Sequence, residues 1–155
     1  MSDLPGLRRA VATDRVALVA MQEAAYEPNR IVAGRLPLPL RWDYADVLRD
    51  WEVWLAEDEA GLTGALILQL RPEDLYIESV SVAPRCKGGG LGNRLLEAAT
   101  LRAGHLGRST VRLLTNELYR SNVAWYGRKG FSIEWIEDLG DRRIVHMLRH
   151  LQSNG

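Results

Sequence analysis

The sequence predicts an α+β fold, a mixed and mostly antiparallel sheet of about seven strands flanked by about four helices. Three observations carry this. Short segments whose apolar residues alternate with period two are interleaved with segments in which they recur at helical spacing. The middle of the chain strings strands together through short turns, as an antiparallel meander does. No repeat, low-complexity run or linker interrupts the order, and 155 residues is the length of one compact domain, so a single domain spanning 1–155 is expected.

After a loose start at residues 1–6, residues 7–11 read as a short strand, and Thr13 is a suitable N-cap for a helix with Asp14 in its first turn. Val16, Val19, Ala20 and Ala24 form its apolar stripe, and Glu27-Pro28 is expected to end it. Residues 28–41, with Pro28, Gly34, Pro37 and Pro39, read as a long irregular connection, either solvated loop or one wall of a binding site. Residues 42–50 suggest a second short helix. A hairpin follows, with strands at 52–57 and 62–70 around a turn at 58–61, and then the turn Pro72-Glu73-Asp74 and a third strand at 75–82. A glycine-rich loop leads into a helix at 91–103, whose Leu91, Leu95, Ala98 and Ala99 share a face and which Gly104 and Gly107 close. A strand at 110–115 and a short helix at 121–129, ended by Gly130 in a left-handed position, come next. Strands at 131–136 and 143–148, joined by the turn Asp138-Leu139-Gly140-Asp141, complete the sheet.

Composition narrows the function. Hydrophobic residues at 46% and charged residues at 26% suit a folded globular chain. Twenty Lys+Arg balance twenty Asp+Glu, so there is no basic excess of the kind that binds nucleic acid or an anionic membrane non-specifically. The longest apolar stretches, such as residues 62–70, are far shorter than the roughly 20 residues that cross a bilayer, and the N-terminus lacks an apolar signal core. The expected location is the cytoplasm. A single cysteine, Cys86, rules out an internal disulfide and agrees with a reducing compartment.

The most informative segment runs Val82-Ala83-Pro84-Arg85-Cys86-Lys87-Gly88-Gly89-Gly90-Leu91-Gly92-Asn93-Arg94-Leu95-Leu96 and joins a strand to a helix. Glycines let several backbone N–H groups converge at a helix N-terminus that carries partial positive charge, a combination that binds phosphate. A Walker A loop would close with Gly-Lys-Ser/Thr, whereas this one closes with Gly92-Asn93. A dinucleotide fingerprint starting at Gly88 meets Asn93 where its last glycine belongs.

At every fixed position but one the segment fits Val-x-Pro-x-x-(Arg/Gln)-x-x-Gly-x-Gly-x-x-Leu-Leu, and from Val82 to Leu96 it resembles the pyrophosphate loop of the GNAT superfamily of N-acetyltransferases. The order of elements resembles that family over nearly the whole chain. Lys87 stands where the family usually has Arg or Gln. A second register over residues 85–90 satisfies the short core pattern, but only the Lys87 register also places Val82, Pro84, Leu95 and Leu96. The resemblance implies acetyl-coenzyme A as co-substrate and no metal. Its pyrophosphate would lie at Lys87 and the N–H groups of Gly88, Gly89, Gly90, Leu91, Gly92 and Asn93, with its pantetheine arm beside the main chain of Val80, Ser81 and Val82.

A second segment, Asn122-Val123-Ala124-Trp125-Tyr126-Gly127-Arg128-Lys129-Gly130-Phe131, resembles the family's Asn-x-x-x-Tyr-x-x-x-Gly-Phe. Many members carry an Asn seven residues before the Tyr, where this chain has Tyr119. The resemblance gives Asn122 an amide contact to the cofactor and makes Tyr126 the donor to the departing sulfur. A phenol of pKa about 10 facing a thiol of about 8.5 suits a hydrogen bond that strengthens as charge builds.

Transfer of an acetyl group to an amine also requires a proton to leave the nitrogen. Glu78 is the best base, because it sits within a largely apolar strand on the same alternating face as Val80 and Val82, where burial raises its pKa. An ordered water as the base, and a structural ion pair of Glu78 with Arg112, remain open. Cys86 falls at the pyrophosphate end, away from the acetyl group. His146 and His150 would lie about 13 Å apart in a strand, too far for a zinc pair.

The function expected is therefore transfer of an acetyl group from acetyl-coenzyme A to a primary amine, a small molecule before a protein, by direct attack in a ternary complex. The alternatives are a catalytically silent coenzyme A sensor or interaction module, and a protein N-terminal or lysine acetyltransferase. Trp42, Tyr44, Tyr76 and Trp125 are candidates for an aromatic acceptor pocket, and Arg30, Arg35 or Arg41 for an acceptor carboxylate. A homodimer, common in the family, is compatible with the sequence.

Overall fold

The computed structural model describes residues 4–152, so part of the loose start expected at residues 1–6 lies outside them. Seven strands form one sheet in the order β1-β2-β3-β4-β5-β7-β6. They are β1 (Arg8–Arg9), β2 (Glu52–Asp58), β3 (Gly61–Leu70), β4 (Leu75–Val82), β5 (Thr110–Asn116), β6 (Ser132–Asp138) and β7 (Arg143–His150). Every neighbouring pair is antiparallel except β4 and β5. Four helices, α1 (Arg15–Ala33), α2 (Tyr44–Asp50), α3 (Leu91–His105) and α4 (Arg120–Arg128), complete the α+β fold that the sequence pattern called for. Among the described residues no helix is long and apolar enough to cross a membrane.

Alternation along the strands sends apolar side chains to two cores, one on each face of the sheet. Leu66, Leu68, Ile77, Val111, Leu113, Val145 and Met147 meet Leu91, Leu95, Leu96 and Ala99 of α3 on one face. Val53, Leu55, Ala65 and Ile67 meet Leu18 and Met21 of α1 and Tyr44 and Val47 of α2 on the other. The closest approach is at Gly64, where an added Cβ would come within 3.0 Å of Leu91 and of the Ser81 carbonyl, so α3 lies tightly over β3 only because residue 64 has no side chain.

The first helix departs most from expectation. Pro28 does not end it, because α1 runs through Pro28 to Ala33 and stops at Gly34, whose φ of 67° provides a left-handed cap. The buried face is Leu18, Met21, Gln22 and Ala25, whereas Val16 of the expected stripe is 77% exposed. A polar residue at the centre of that face hid the register. Thr13 is not the cap either: residues 12–14 form a 3₁₀ turn in which Asp14 accepts from Val11 N–H and binds Arg8 at 2.9 Å. The connection expected at 28–41 is thereby shortened to a loop after Gly34 that contains one 3₁₀ turn, Leu38–Leu40. Elsewhere the differences are small. α2 begins at Tyr44 on the Asp43 cap, Gly104 lies inside α3, and β6 starts one residue after the buried Phe131.

Two irregularities in β4 open a cleft. Its register against β3 slips after Ile77, which pairs with Leu68, so that Ser79 pairs with Ile67 and Glu78 is the extra residue of a bulge. Its parallel pairing with β5 covers only Leu75, Tyr76 and Ile77. Beyond Ile77 the edge of β4 that faces β5 is unpaired.

Candidate active site

The glycine end of the cleft is built from main chain. After β4 the backbone passes a 3₁₀ turn, Pro84–Cys86, and then Gly88 at φ 85° and Gly90 at φ 83°, the latter capping α3. A side chain at either position would be strained, and the left-handed conformation turns successive N–H groups the same way. Arg94 N–H to the Gly90 carbonyl is the first bond of the helix. The N–H groups of Gly88, Gly89, Gly90, Leu91, Gly92 and Asn93 find no backbone acceptor among the described residues. With the dipole of a 15-residue helix behind them, they suit an anion. Arg85 is held at 2.8 Å by Asp58, whereas Lys87 is exposed and lines the cleft.

The cleft encloses about 850 Å³ between the unpaired edge of β4 and the segments after β5. Glu78, Ser79, Val80, Ser81 and Val82 form one wall, and Thr115, Asn116, Tyr119, Asn122, Trp125 and Tyr126 form the other. Trp125 Nε1 donates to Asn93 Oδ1 at 2.8 Å, which ties α4 to the glycine loop. The Tyr126 ring packs 4.9 Å from Trp125 and 5.8 Å from Phe131. Burial, with Tyr26 nearby, holds its phenol well above the usual value, so it stays protonated. Neither the Tyr126 hydroxyl nor the Asn122 amide has a protein partner among the described residues.

Glu78 lines this cleft through its place in the bulge, not through alternation. Ile77, Val80 and Val82 all contact the α3 core although their spacing is not a multiple of two, so simple alternation does not set the direction of Glu78, the extra residue between them. Burial pushes its carboxyl up to about 7, with Arg71 opposing. The ion pair considered with Arg112 does not form, because Arg112 binds Asp74 at 2.8 Å and Glu134 at 3.1 Å. Asp74 is fully buried. Burial opposes its ionisation, but Arg71 and Arg112 outweigh that and hold its carboxyl below the ordinary range.

The far end is lined by Tyr26, Asn29, Arg35, Leu36, Leu38, Glu137, Leu139 and Arg142. Of the four aromatics expected there, only Trp125 lines the cleft. Tyr44 is buried with its hydroxyl on the Pro39 carbonyl at 2.8 Å, Trp42 packs edge-on to Trp51, and Tyr76 lies under the Arg71 guanidinium. Arg35 and Arg41 line the cleft and Arg30 does not, and Arg35 crosses to Asp141 at 2.7 Å. Tyr26, Tyr119, Glu137 and Arg142 escaped sequence reasoning. The spacing of Tyr26 four residues after Gln22 was its only signal, legible once that helix face is known.

Cys86 is half-buried against the α1 and α2 core and borders the cleft beside Lys87. His146 Nε2 lies 2.9 Å from Glu137 and its ring stacks on Trp135, while His150 Nδ1 lies 3.2 Å from the Thr110 hydroxyl. Among the described residues no three His, Cys, Asp or Glu side chains converge as metal ligands.

Comparison with known proteins agrees with this geometry. Residues 49–133, more than half of the chain, match a family model described as an acetyltransferase (GNAT) domain. No curated protein matches in sequence. Among solved structures, the PaiA N-acetyltransferase from Thermoplasma acidophilum in complex with coenzyme A superposes with a TM-score of 0.78 at 16% identity, covering 93% of this chain and 97% of that one. A ribosomal-protein-alanine N-acetyltransferase from Escherichia coli gives 0.76 at 17%, covering 96% and 95%. A nourseothricin acetyltransferase gives 0.61 at 23%, covering 66% of each chain.

Proposed function

The chain belongs to the GNAT acetyltransferase family, and from that premise we propose that it transfers an acetyl group from acetyl-coenzyme A to the primary amine of a small molecule, by direct attack in a ternary complex. One domain, residues 1–155, carries the activity in this reading. The observation that supports it most is the row of unpartnered N–H groups from Gly88 to Asn93, which opens into a cleft bordered by an unpaired strand edge. These donors suit the diphosphate of coenzyme A, and Lys87 beside them adds a positive charge. The free edge of β4 from Val80 to Val82 offers main-chain partners to the amides of the pantetheine arm. Asn122 adds a side-chain amide on the opposite wall.

Chemistry follows from the groups left at the bend. With its carboxyl pushed up to about 7, Glu78 accepts a proton from the acceptor's ammonium, directly or through water, and so frees the neutral amine that attacks near neutral pH. Tyr126 stays protonated and donates a hydrogen bond to the sulfur as the carbon–sulfur bond breaks. A small acceptor is the reading we favour, with Arg35, which lines the far end and is held 2.7 Å from Asp141, placed to meet it. The nourseothricin acetyltransferase is a small-molecule precedent, while the ribosomal-protein enzyme supplies the competing class.

Thiol release from acetyl-coenzyme A, followed against a panel of small amines and N-terminal peptides, tests this reading. Amine-dependent release with intersecting initial-rate lines in both substrates is expected. Binding of acetyl-coenzyme A without release for any amine would favour the silent sensor.

A further inference from the structure

We propose that Tyr26 is a second hydrogen-bond donor of the reaction, directed at the carbonyl oxygen of the acyl group, and that Gln22 and Ser79 are positioning residues that fix the direction of its proton. The proposal rests on the acetyl-transfer reading above. Five side chains from α1, α2 and β4 form one network under the cleft, and counting their protons gives it a polarity.

The Pro39 carbonyl can only accept, so the Tyr44 hydroxyl at 2.8 Å donates to it. Having spent its one proton, Tyr44 accepts from Gln22 Nε2 at 3.0 Å. That orients the amide of Gln22, a residue with 0% exposure: its NH₂ faces Tyr44 and Ser79, and its oxygen accepts from the Ser81 hydroxyl. Ser79 Oγ receives the second Gln22 proton at 3.2 Å, and the acceptor within reach of its own proton is the Tyr26 oxygen at 2.6 Å. The Tyr26 proton then has the cleft as its outlet. The opposite polarity, with Tyr26 donating to Ser79, would leave a buried hydroxyl proton without an acceptor, which is the costlier arrangement.

Position supplies the target. Ser79 follows the bulged Glu78 directly. Tyr26 and Tyr126 both line the cleft. As the amine adds to the thioester carbonyl, a carbon–nitrogen bond forms and an electron pair moves to oxygen. When that pair returns, the carbon–sulfur bond breaks and the second proton of the nitrogen passes to the departing sulfur, which leaves as the thiol, while Glu78 holds the proton released when the ammonium became the attacking amine. Tyr126 meets the charge on sulfur, and Tyr26 meets the earlier charge on oxygen. Burial pushes the Tyr26 phenol up to about 12, so it remains a donor across physiological pH.

The test is a double-mutant cycle on kcat. Tyr26→Phe is expected to lower kcat about 30- to 100-fold while KM for acetyl-coenzyme A stays within about threefold. Gln22→Glu keeps the shape and, at a pH where its carboxyl is ionised, has no proton to donate, so Ser79 turns its proton to residue 22 and Tyr26 turns its own to Ser79. A loss of similar size follows, and Gln22→Glu adds nothing further in the Tyr26→Phe background. Wild-type kcat in Tyr26→Phe, a change confined to KM of the amine, or losses that multiply in the double variant would overturn the proposal. Tyr26→Phe removes one half-buried hydroxyl and decides alone if Gln22→Glu does not fold. A wild-type protein without turnover would remove the parent reading as well, whereas turnover with an indifferent Tyr26→Phe removes only this one.

Discussion

At the glycine end of the cleft the groups that face a ligand are main-chain N–H donors set by Gly88 and Gly90, whereas at the acceptor end they are side chains delivered by α1, β4, α4 and the β6–β7 hairpin. A backbone site keeps its chemistry through most side-chain exchanges and is lost when a Cβ or a charge enters the loop. A side-chain site can be retuned residue by residue, and its geometry depends on contacts between segments far apart in sequence. The two ends should therefore fail differently when mutated: one in affinity for the cofactor, the other in rate.

The largest effect is expected at the glycine end. Gly90→Asp forces a side chain onto φ 83° and sets a carboxylate against the diphosphate, and should weaken acetyl-coenzyme A binding by at least ~100-fold in calorimetry. Gly92→Asp separates the two causes. Its Cβ has room at 3.6 Å from Trp125 and an ordinary φ, so charge alone acts and about tenfold is expected. Equal losses would show that conformation contributes nothing at Gly90.

At the acceptor end, Glu78→Gln should lower kcat/KM about 100-fold and leave acetyl-coenzyme A affinity unchanged. In the wild type, kcat/KM should rise with pH through about 7 and level off above it, because the base works deprotonated. Glu78→Gln should lack that limb. The stability effect has the opposite sign. The folded carboxyl has a raised pKa, so its favourable contribution is complete below the unfolded value and is lost as pH rises toward 7. Glu78→Gln should therefore raise Tm above pH 7 relative to wild type. Tyr126→Phe comes next, with kcat about tenfold lower and KM for acetyl-coenzyme A within about twofold. The smallest effect is expected for Arg35→Ala, whose pair with Asp141 is exposed. Thermal unfolding should move by less than about 1 kcal/mol, and KM for the amine by a few-fold.

The same contrast explains what could be read from the sequence. The glycine loop is contiguous, and its chemistry resides in residue types with special backbone freedom, so residues 82–96 announced a phosphate site and most of the strands around it. Glu78 was singled out for its polarity in an apolar strand, but its direction comes from a bulge created by pairing with β3, which no local pattern encodes. The buried face of α1 was misread because Gln22 occupies its centre, and Tyr26 was missed with it. Pro28 misled in a different way. The local cost of a helical proline is about 3 kcal/mol, yet α1 continues past it to the Gly34 cap, although every buried residue of the helix precedes Pro28.

Calorimetric titration with coenzyme A and with pantetheine, which lacks the diphosphate and nucleotide, tests most directly whether the backbone end of the cleft holds an anion. The account predicts that coenzyme A binds at least ~100-fold more tightly and that Gly90→Asp abolishes most of the difference. Equal affinity for the two ligands, or a difference untouched by Gly90→Asp, would contradict it.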